Sequence, residues 1–391
     1  MRLAVVIQRY GLDITGGAEL HCRWIVERLA SQFEVEVLTT CARDYVTWKN
    51  EYPEGVTTLN GIPVRRFKTD QTRHPRSFDK LSQKLYKHPH TYFDEIHWMI
   101  QQGPYSSGLL EHLKEVGPRY QGFLFYTYLY PTTYFGMQLV PEKSLFVPTA
   151  HDEPPIYLDI FKALFHLPRG IFYLTQEEKA FVTGLFKNED IPHEVLGVGV
   201  QLPEKPDPAA FRSKFQIPGD FLLYAGRVDE GKGCGQLVNY FLAYKTHRPS
   251  PLKLVFIGKT AMPVPDRPDI RVLGYVSDED KFNALKAATV LIAPSLMESL
   301  SIASLEAWGV GTPVLANEGC SVLKAHCLKS NAGLYYSTYE EFQACLDLLL
   351  GAPELRRKLG ENGIRYIQKD YQWPVIEAKL QNMIQRLNEL R

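Results

Sequence analysis

The sequence predicts an α/β fold of two doubly wound domains, and three observations carry that expectation. Short apolar runs of strand type alternate with stretches of helical periodicity along nearly the whole chain. The runs are continuous rather than alternating, as expected of parallel strands covered by helices on both faces. The series breaks once near the middle, at a segment rich in proline and glycine, and then starts again. At 391 residues the chain is long enough for two cores.

In chain order, residues 3–7 read as the first buried strand, 18–30 as a helix and 35–38 as the second strand. Further strands are read at 123–126, 145–147 and 171–174. The segment "VGVQLPEKPDPAAF", with Gly197, Gly199, Pro203, Pro206 and Pro208, is the linker. Strands at 221–224, 254–257, 290–292 and 313–316 make the second series. The expected organisation is a first Rossmann-like domain over 1–200 and a second over 201–373. A helix over 374–391 follows, in which Ile376, Leu380, Met383, Ile384 and Leu387 recur at helical spacing. It is expected to cross back and brace the domains. Ligands of such sheets lie beyond the carboxyl ends of the strands, so a cleft between facing domains is the expected site.

Composition narrows the function by exclusion. Lys plus Arg and Asp plus Glu both count 44, so net charge gives no sign of a nucleic-acid partner. The six cysteines form no C-x-x-C pair, which suits a reducing compartment. Arg9 interrupts the apolar start, and no run reaches the ~18 residues of a membrane span. A cytoplasmic protein is expected. Residues 65–90 hold eight Lys and Arg against two Asp, which points to an anionic acceptor or to peripheral contact with the inner face of the membrane. His88 and His90 lack a third ligand, so no metal site is expected.

Two motifs carry the chemistry. "YAGRVDEGKG" keeps Gly226, Gly231 and Lys232 at P-loop spacing, but Gly233 stands where a hydroxyl would hold Mg²⁺. A P-loop ATPase is thereby set aside. The loop leads from a strand into a helix starting near Gly233, so its backbone amides form an anion site. Arg227 and Lys232 add the positive charge a metal would otherwise supply. A dinucleotide dehydrogenase is set aside too, because the next strand, "KLVFIGKT", ends without an acidic residue. The second motif is "PSLMESLSIASLEAWGVGTPVLA". Glu298 lies before a helix and Glu306 about one turn inside it. Ser299 and Ser301 offer N-cap oxygens, and the amides of Leu300, Ser301 and Ile302 face the helix mouth. Carboxylates beside a phosphate site are useful where sugar hydroxyls must be accepted.

Together these motifs resemble the retaining glycosyltransferases of family 4, in the superfamily of glycogen synthase and mannosyltransferases, whose fold is GT-B. The resemblance rests on Gly226-Arg227, Lys232-Gly233, the Glu298-x7-Glu306 frame within "PSLMES" and "LEAWGVGTPV", and Gly16-Gly17-Ala18-Glu19 after the first strand. It implies a hexosyltransferase taking a UDP- or GDP-sugar without metal or further cofactor, with 1–200 as the acceptor-binding domain and 201–373 as the donor-binding domain. Arg227 and Lys232, with Gly226, would hold the donor diphosphate. Glu298 would take the sugar hydroxyls and Glu306 the ribose, beside the main chain of Ser299, Leu300 and Ser301. Tyr275 and Val276 would pass the base. Gly16 and Gly17 would let the first loop approach closely. His151, in "FVPTAHDEPP", would touch the transferred sugar, with Asp152 fixing its tautomer.

Where the family pattern has glycine, an aromatic and glycine, this chain has Ser299, Leu300 and Ser301, which narrows the pocket. A glycan or lipid-linked acceptor for polysaccharide biosynthesis is expected, with Arg65, Arg66 and Tyr105 as acceptor contacts. Two alternatives stand beside this reading: a sugar-nucleotide epimerase of the same fold, and a relative that binds nucleotide-sugar or glycan without turnover.

Overall fold

The computed structural model describes residues 2–389 apart from Thr15, and the side chains from Arg386 onward lie outside that description. The chain divides into two compact units, Met1–Gly197 with Glu377–Arg391, and Val198–Ile376.

The first unit is built on an eight-stranded sheet. Its strands are β1 (Arg2–Val6), β2 (Glu34–Thr40), β3 (Gly55–Leu59), β4 (Ile62–Phe67), β5 (Gly122–Tyr126), β6 (Ser144–Val147), β7 (Gly170–Tyr173) and β8 (His193–Val195). They lie in the order β3-β4-β2-β1-β5-β6-β7-β8. The order turns back between β1 and β5, which are parallel neighbours. The hairpin β3–β4 is antiparallel and turns at Asn60 and Gly61, both at positive φ. That Asn-Gly pair is a strong hairpin signal. The sequence reading missed it because the flanking strands are half exposed rather than continuously apolar. Phe123, Phe125 and Phe146 of the sheet pack with Trp98, Met99, Leu113 and Met137 from the covering helices. Each such side chain stabilises the fold by ~1.5–3 kcal/mol when fully buried.

The second unit has six parallel strands, β9 (Phe221–Ala225), β10 (Lys253–Ile257), β11 (Ile270–Val272), β12 (Val290–Ala293), β13 (Val314–Asn317) and β14 (Gly333–Tyr336). Their order is β11-β10-β9-β12-β13-β14. Counted within the unit this is 3-2-1-4-5-6, the doubly wound arrangement, with its reversal between β9 and β12. Apolar strands force the sheet indoors: Leu222, Leu254, Phe256, Val290 and Leu315 pack with Leu237, Phe241 and Phe342 of the helices.

The last helix, Trp373–Glu389, begins in the second unit, and its residues from Glu377 belong to the first. Ile376, Leu380, Met383 and Ile384 are buried, whereas the side chain of Leu387 lies outside the described residues. Lys379 Nζ donates to Val195 O at 2.8 Å, and Glu377 faces Arg28 at 3.7 Å. At the helix start, Trp373 leaves no room for a Cβ at Gly199, which would lie 2.2 Å from its ring.

Candidate functional site

In the second unit the two motifs leave neighbouring strands, β9 and β12, at the point where the strand order reverses. Residues 226–233 follow β9. Gly226, at φ 153°, donates to Ile257 O, and Val228 donates to Lys259 O, both at 2.9 Å. These bonds lay the loop along the exit of β10. The Asp229 carboxylate accepts from Lys232 N at 2.8 Å and sets one turn of 3₁₀ helix before the Cys234–His247 helix. Gly233 has φ 74°, and a Cβ there would lie 2.4 Å from Pro294 O. Only glycine lets the first loop press on the second this closely. A Cβ on Gly258 would similarly lie 2.0 Å from Gly226 O, while Gly258 N donates to Gly274 O at 2.8 Å. The chain around Tyr275 and Val276 is thereby tied to the same loop ends, and the Tyr275 side chain is exposed.

Lys232 and Glu298 meet here. Lys232 Nζ donates to Glu298 Oε1 at 2.8 Å, with both side chains partly exposed. Arg227 is ion-paired with Asp229 and also partly exposed. Glu306 sits deeper and pairs with Lys281 Nζ at 2.7 Å. Burial pushes the Glu306 carboxyl up, against the pull of Lys281. Burial alone would lower Lys281, but Glu306 and Asp278 outweigh it and raise its pKa.

The helix Ile302–Gly309 begins between the two glutamates as expected, but its cap is different. Neither serine hydroxyl caps it: Ser301 occupies the N-cap position without a side-chain cap bond, and its Oγ lies 2.9 Å from Ser304 Oγ. Ser301 is held at φ 63°, ψ 70°, where a side chain is strained. The first intrahelical bonds run from Ser304 and Leu305 to Ser301 O. The amides just before them lie outside the helical ladder and face the helix mouth with Ser299 and the buried Leu300.

Two supports escaped the sequence reading. His326 Nε2 donates to Leu300 O at 3.1 Å, and its Nδ1 accepts from Tyr366 OH at 2.8 Å. Burial lowers this imidazole to about 4, so it is neutral. Asn317, at the end of β13, donates to Pro294 O at 3.3 Å. Both steady the loop that carries Glu298 from elements far along the chain, which no local motif announces.

In the first unit, Gly16 is the N-cap of the Gly17–Leu29 helix, and a Cβ on it would lie 2.0 Å from Glu19 Oε2. At Gly17 a Cβ meets nothing, so the chain itself requires only the first glycine. Glu19 is held by Arg9 Nε at 2.9 Å and Gln8 Nε2 at 3.0 Å, a buried pair at the exit of β1. Thr127 and Thr149, at the exits of β5 and β6, both have positive φ. For β-branched residues that is a true outlier, and such strain gathers at functional sites.

His151 follows directly after this second strained threonine and Ala150, and it faces Glu153 rather than Asp152: Nε2 lies 3.4 Å from Glu153 Oε1. Asp152 instead accepts from Tyr157 OH at 2.7 Å, so the expected His151–Asp152 pairing is corrected to His151–Glu153. Tyr128 OH holds Glu153 at 2.6 Å. Glu178 accepts the amides of Ala150 and Leu174 and so anchors the loop; burial raises its carboxyl to about 8.

The two expected acceptor arginines differ in burial, and both are engaged within their own unit. Alternate residues of a strand face opposite sides. Arg65 therefore reaches Glu36 on β2 at 2.9 Å, while Arg66 is buried on the other face, donating to Tyr10 O at 2.9 Å and to Thr57. Arg66 is thus taken up inside the fold, whereas the Arg65 side chain keeps 35% of its surface exposed. Tyr105 is half-buried, edge-on to Phe135 at 5.5 Å. Among the described residues no group of three or more His, Cys, Asp or Glu is placed to hold a metal. No described helix is long and apolar enough to cross a membrane.

Residues 209–366 match the family model described as glycosyl transferases group 1. The match lies wholly within the second unit. Among curated proteins, a glycosyltransferase 1 domain-containing protein 1 of Xenopus tropicalis is 30% identical over 120 residues, 30% of this chain and 34% of that protein. The matched regions span between 26% and 52% of the curated relatives' lengths. Among solved structures, sucrose-phosphate synthase of Thermosynechococcus elongatus aligns over 100% of both chains with a TM-score of 0.72 at 18% identity. Anabaena HepE in complex with UDP-glucose aligns over 100% of both chains with a TM-score of 0.70 at 14% identity. The fold is GT-B.

Proposed function

We propose that the protein is a retaining glycosyltransferase that moves a sugar from a nucleoside diphosphate donor to a hydroxyl of a glycan or lipid-linked acceptor. The observation that carries this is the Lys232–Glu298 contact at the β9–β12 reversal, the place where an open α/β sheet binds its ligand. A donor diphosphate entering here competes with Glu298 for Lys232. Taking Lys232 releases Glu298 for the sugar hydroxyls, so one exchange supplies both groups. Arg227, Lys232 and the helix-mouth amides stabilise the departing diphosphate, a role that needs no metal. Glu306 accepts the ribose hydroxyls. The resemblance to family 4, the group 1 match and the UDP-glucose complex of a structural neighbour support this donor class.

In the proposed step the bond from the anomeric carbon to the leaving phosphate oxygen breaks as the acceptor oxygen bonds on the same face. The acceptor's proton passes to the leaving phosphate. His151 stabilises the sugar. Transfer is proposed to occur in the cytoplasm, beside the membrane's inner face.

The deciding test is calorimetric titration with UDP, GDP, ADP and dTDP, first with excess EDTA and then with Mg²⁺. Tight binding of one diphosphate in EDTA is expected, and NMR of the product from the matching sugar donor should show the anomeric configuration kept. Binding that requires Mg²⁺ would overturn the assignment of Arg227 and Lys232, and an inverted product would overturn the mechanism.

A further inference from the structure

We infer that the tip of the helical hairpin formed by Pro75–Lys87 and Tyr92–Gln102 is a docking surface for an anionic lipid bilayer. This deepens the membrane part of the proposed function, yet its test needs neither donor nor turnover.

The inference starts from exposure that the fold does not use. Every residue over 86–94 is exposed. Phe93 is 81% exposed and Tyr92 53%, and both stand on the first turn of the second helix. Tyr86, at the end of the first helix, is 36% exposed with its ring 6.1 Å from that of Trp98, and Tyr92 OH lies 3.1 Å from Tyr134 OH, so Phe93 is the most exposed ring of the three. These aromatics sit on a rigid frame rather than a fraying loop. Thr91 and Asp94 form a reciprocal capping box, with Thr91 N donating to Asp94 Oδ2 at 2.8 Å. His90 Nε2 lies 2.9 Å from Glu95 Oε1, and the other oxygen of Glu95 accepts from Ile160 N at 2.8 Å. The tip is thereby anchored to the body of its own unit while the Phe93 ring stays in water.

The charge pattern says what covers it. On the first helix Phe78, Leu81 and Leu85 turn to the core. Arg76, Lys80, Lys84 and Lys87 recur at four- and three-residue spacing on the opposite, exposed face. Among the described residues none of these four is in an ion pair. Like charges at this spacing repel; the helix C-terminus offsets part of this for Lys84 and Lys87, and an external polyanion would offset the rest. A basic row next to exposed Tyr and Phe is the pairing that suits a bilayer surface: cations meet anionic headgroups, and rings enter the interface. A soluble acidic partner would satisfy the lysines but leave Phe93 without a place. Within the basic stretch seen in the sequence, Arg65 and Lys68 are ion-paired to Glu36 and Glu54 and Arg66 is buried, which leaves the helical row from Arg76 as its part without ion pairs among the described residues.

Flotation of the full chain with phosphatidylcholine vesicles, with and without phosphatidylglycerol, tests this at low and high salt. Binding only to the anionic vesicles, released by high salt, is expected. Reversal of the row, Lys80→Glu with Lys84→Glu and Lys87→Glu, should weaken binding by more than roughly tenfold, and Phe93→Ser by about tenfold. Lys114→Glu, elsewhere on the same unit's surface, should have little effect, and each variant's circular dichroism should match the parent. Failure to float with anionic vesicles overturns the inference, as does wild-type flotation by both the charge-reversed and Phe93 variants. Retention on soluble polyglutamate without flotation would assign the row to an acidic macromolecule instead.

Discussion

Lys232–Glu298 and Lys281–Glu306, both in the second unit, are lysine–glutamate pairs of nearly equal length that behave as different objects. Lys232–Glu298 spans 2.8 Å with side chains 34% and 19% exposed, and Lys281–Glu306 spans 2.7 Å with side chains 20% and 6% exposed. Solvent screens the first pair, so separating its members costs little. In the second pair Glu306 lies out of water, where an abandoned carboxylate is expensive. The same two residue types therefore make a contact that a ligand can open and a contact that the fold must keep. Distance does not distinguish them; burial does.

The largest effect that would break this comparison is on stability. Lys281→Met leaves Glu306 buried without its partner and should cost about 3–5 kcal/mol, read from urea unfolding. Lys281→Arg should recover much of that loss. A Lys281→Met protein as stable as the parent would mean that the two pairs are energetically alike.

Next comes the exchangeable pair. Lys232→Ala should change stability by less than ~1 kcal/mol, while sugar transfer falls ~10²–10³-fold because a preorganised donor to the leaving group is gone. Turnover at the parental rate would remove Lys232 from the mechanism. A stability loss matching that of Lys281→Met would remove the contrast.

The contrast also marks what could be read beforehand. Residues 226–233 and the Glu298–Glu306 frame were legible because each is a local device, a turn or a helix mouth whose spacing follows from backbone geometry. Nine strands were legible as continuous apolar runs. Lys281 was not, because its partner lies 25 positions away on another helix and both helices had to be placed first. His326 reaches Leu300 across 26 positions for the same reason. The hydroxyl cap expected from Ser299 and Ser301 failed because the chain enters the helix through a left-handed residue, which turns the side chain away from the cap bond. Alternation along β4 could have warned that Arg65 and Arg66 point apart, but not that Glu36 waits on β2.

A pH effect of about the same size sharpens the picture of the supporting residues. His326 in the second unit and His21 in the first are both buried and neutral, each lowered to about 4 mainly by burial. His21 Nε2 donates to Gly197 O at 2.9 Å and its Nδ1 accepts from Tyr126 OH at 3.2 Å. Their folded pKa lies below the unfolded value, so between the two values the unfolded chain holds more protons. Stability is then complete above about pH 6.5 and falls as pH drops toward 4, by roughly 3 kcal/mol per histidine. His326→Gln should flatten the acid limb of the stability profile by one such share and also weaken nucleotide binding, because Leu300 loses its support. His21→Gln should flatten it equally and leave nucleotide binding unchanged. Equal effects of both variants on binding would mean that His326 is only a core residue.

The smallest expected effect separates strain from contact at the helix mouth. Ser301 is held in a left-handed conformation that glycine adopts without penalty. Its Oγ gains a hydroxyl contact with Ser304, so the side chain is not without return. Ser301→Gly relieves the strain and loses that contact, and the balance should be a stabilisation below ~1 kcal/mol, opposed by the greater freedom of glycine in the unfolded chain. Nucleoside diphosphate affinity should stay the same or rise, since the amides keep their places and the pocket widens. Calorimetry and thermal unfolding on one variant give both numbers. A clear destabilisation would show that the Ser301–Ser304 contact, rather than the backbone, sets the helix entrance beside Glu298, and the narrowing of the pocket would then be a structural requirement of this chain.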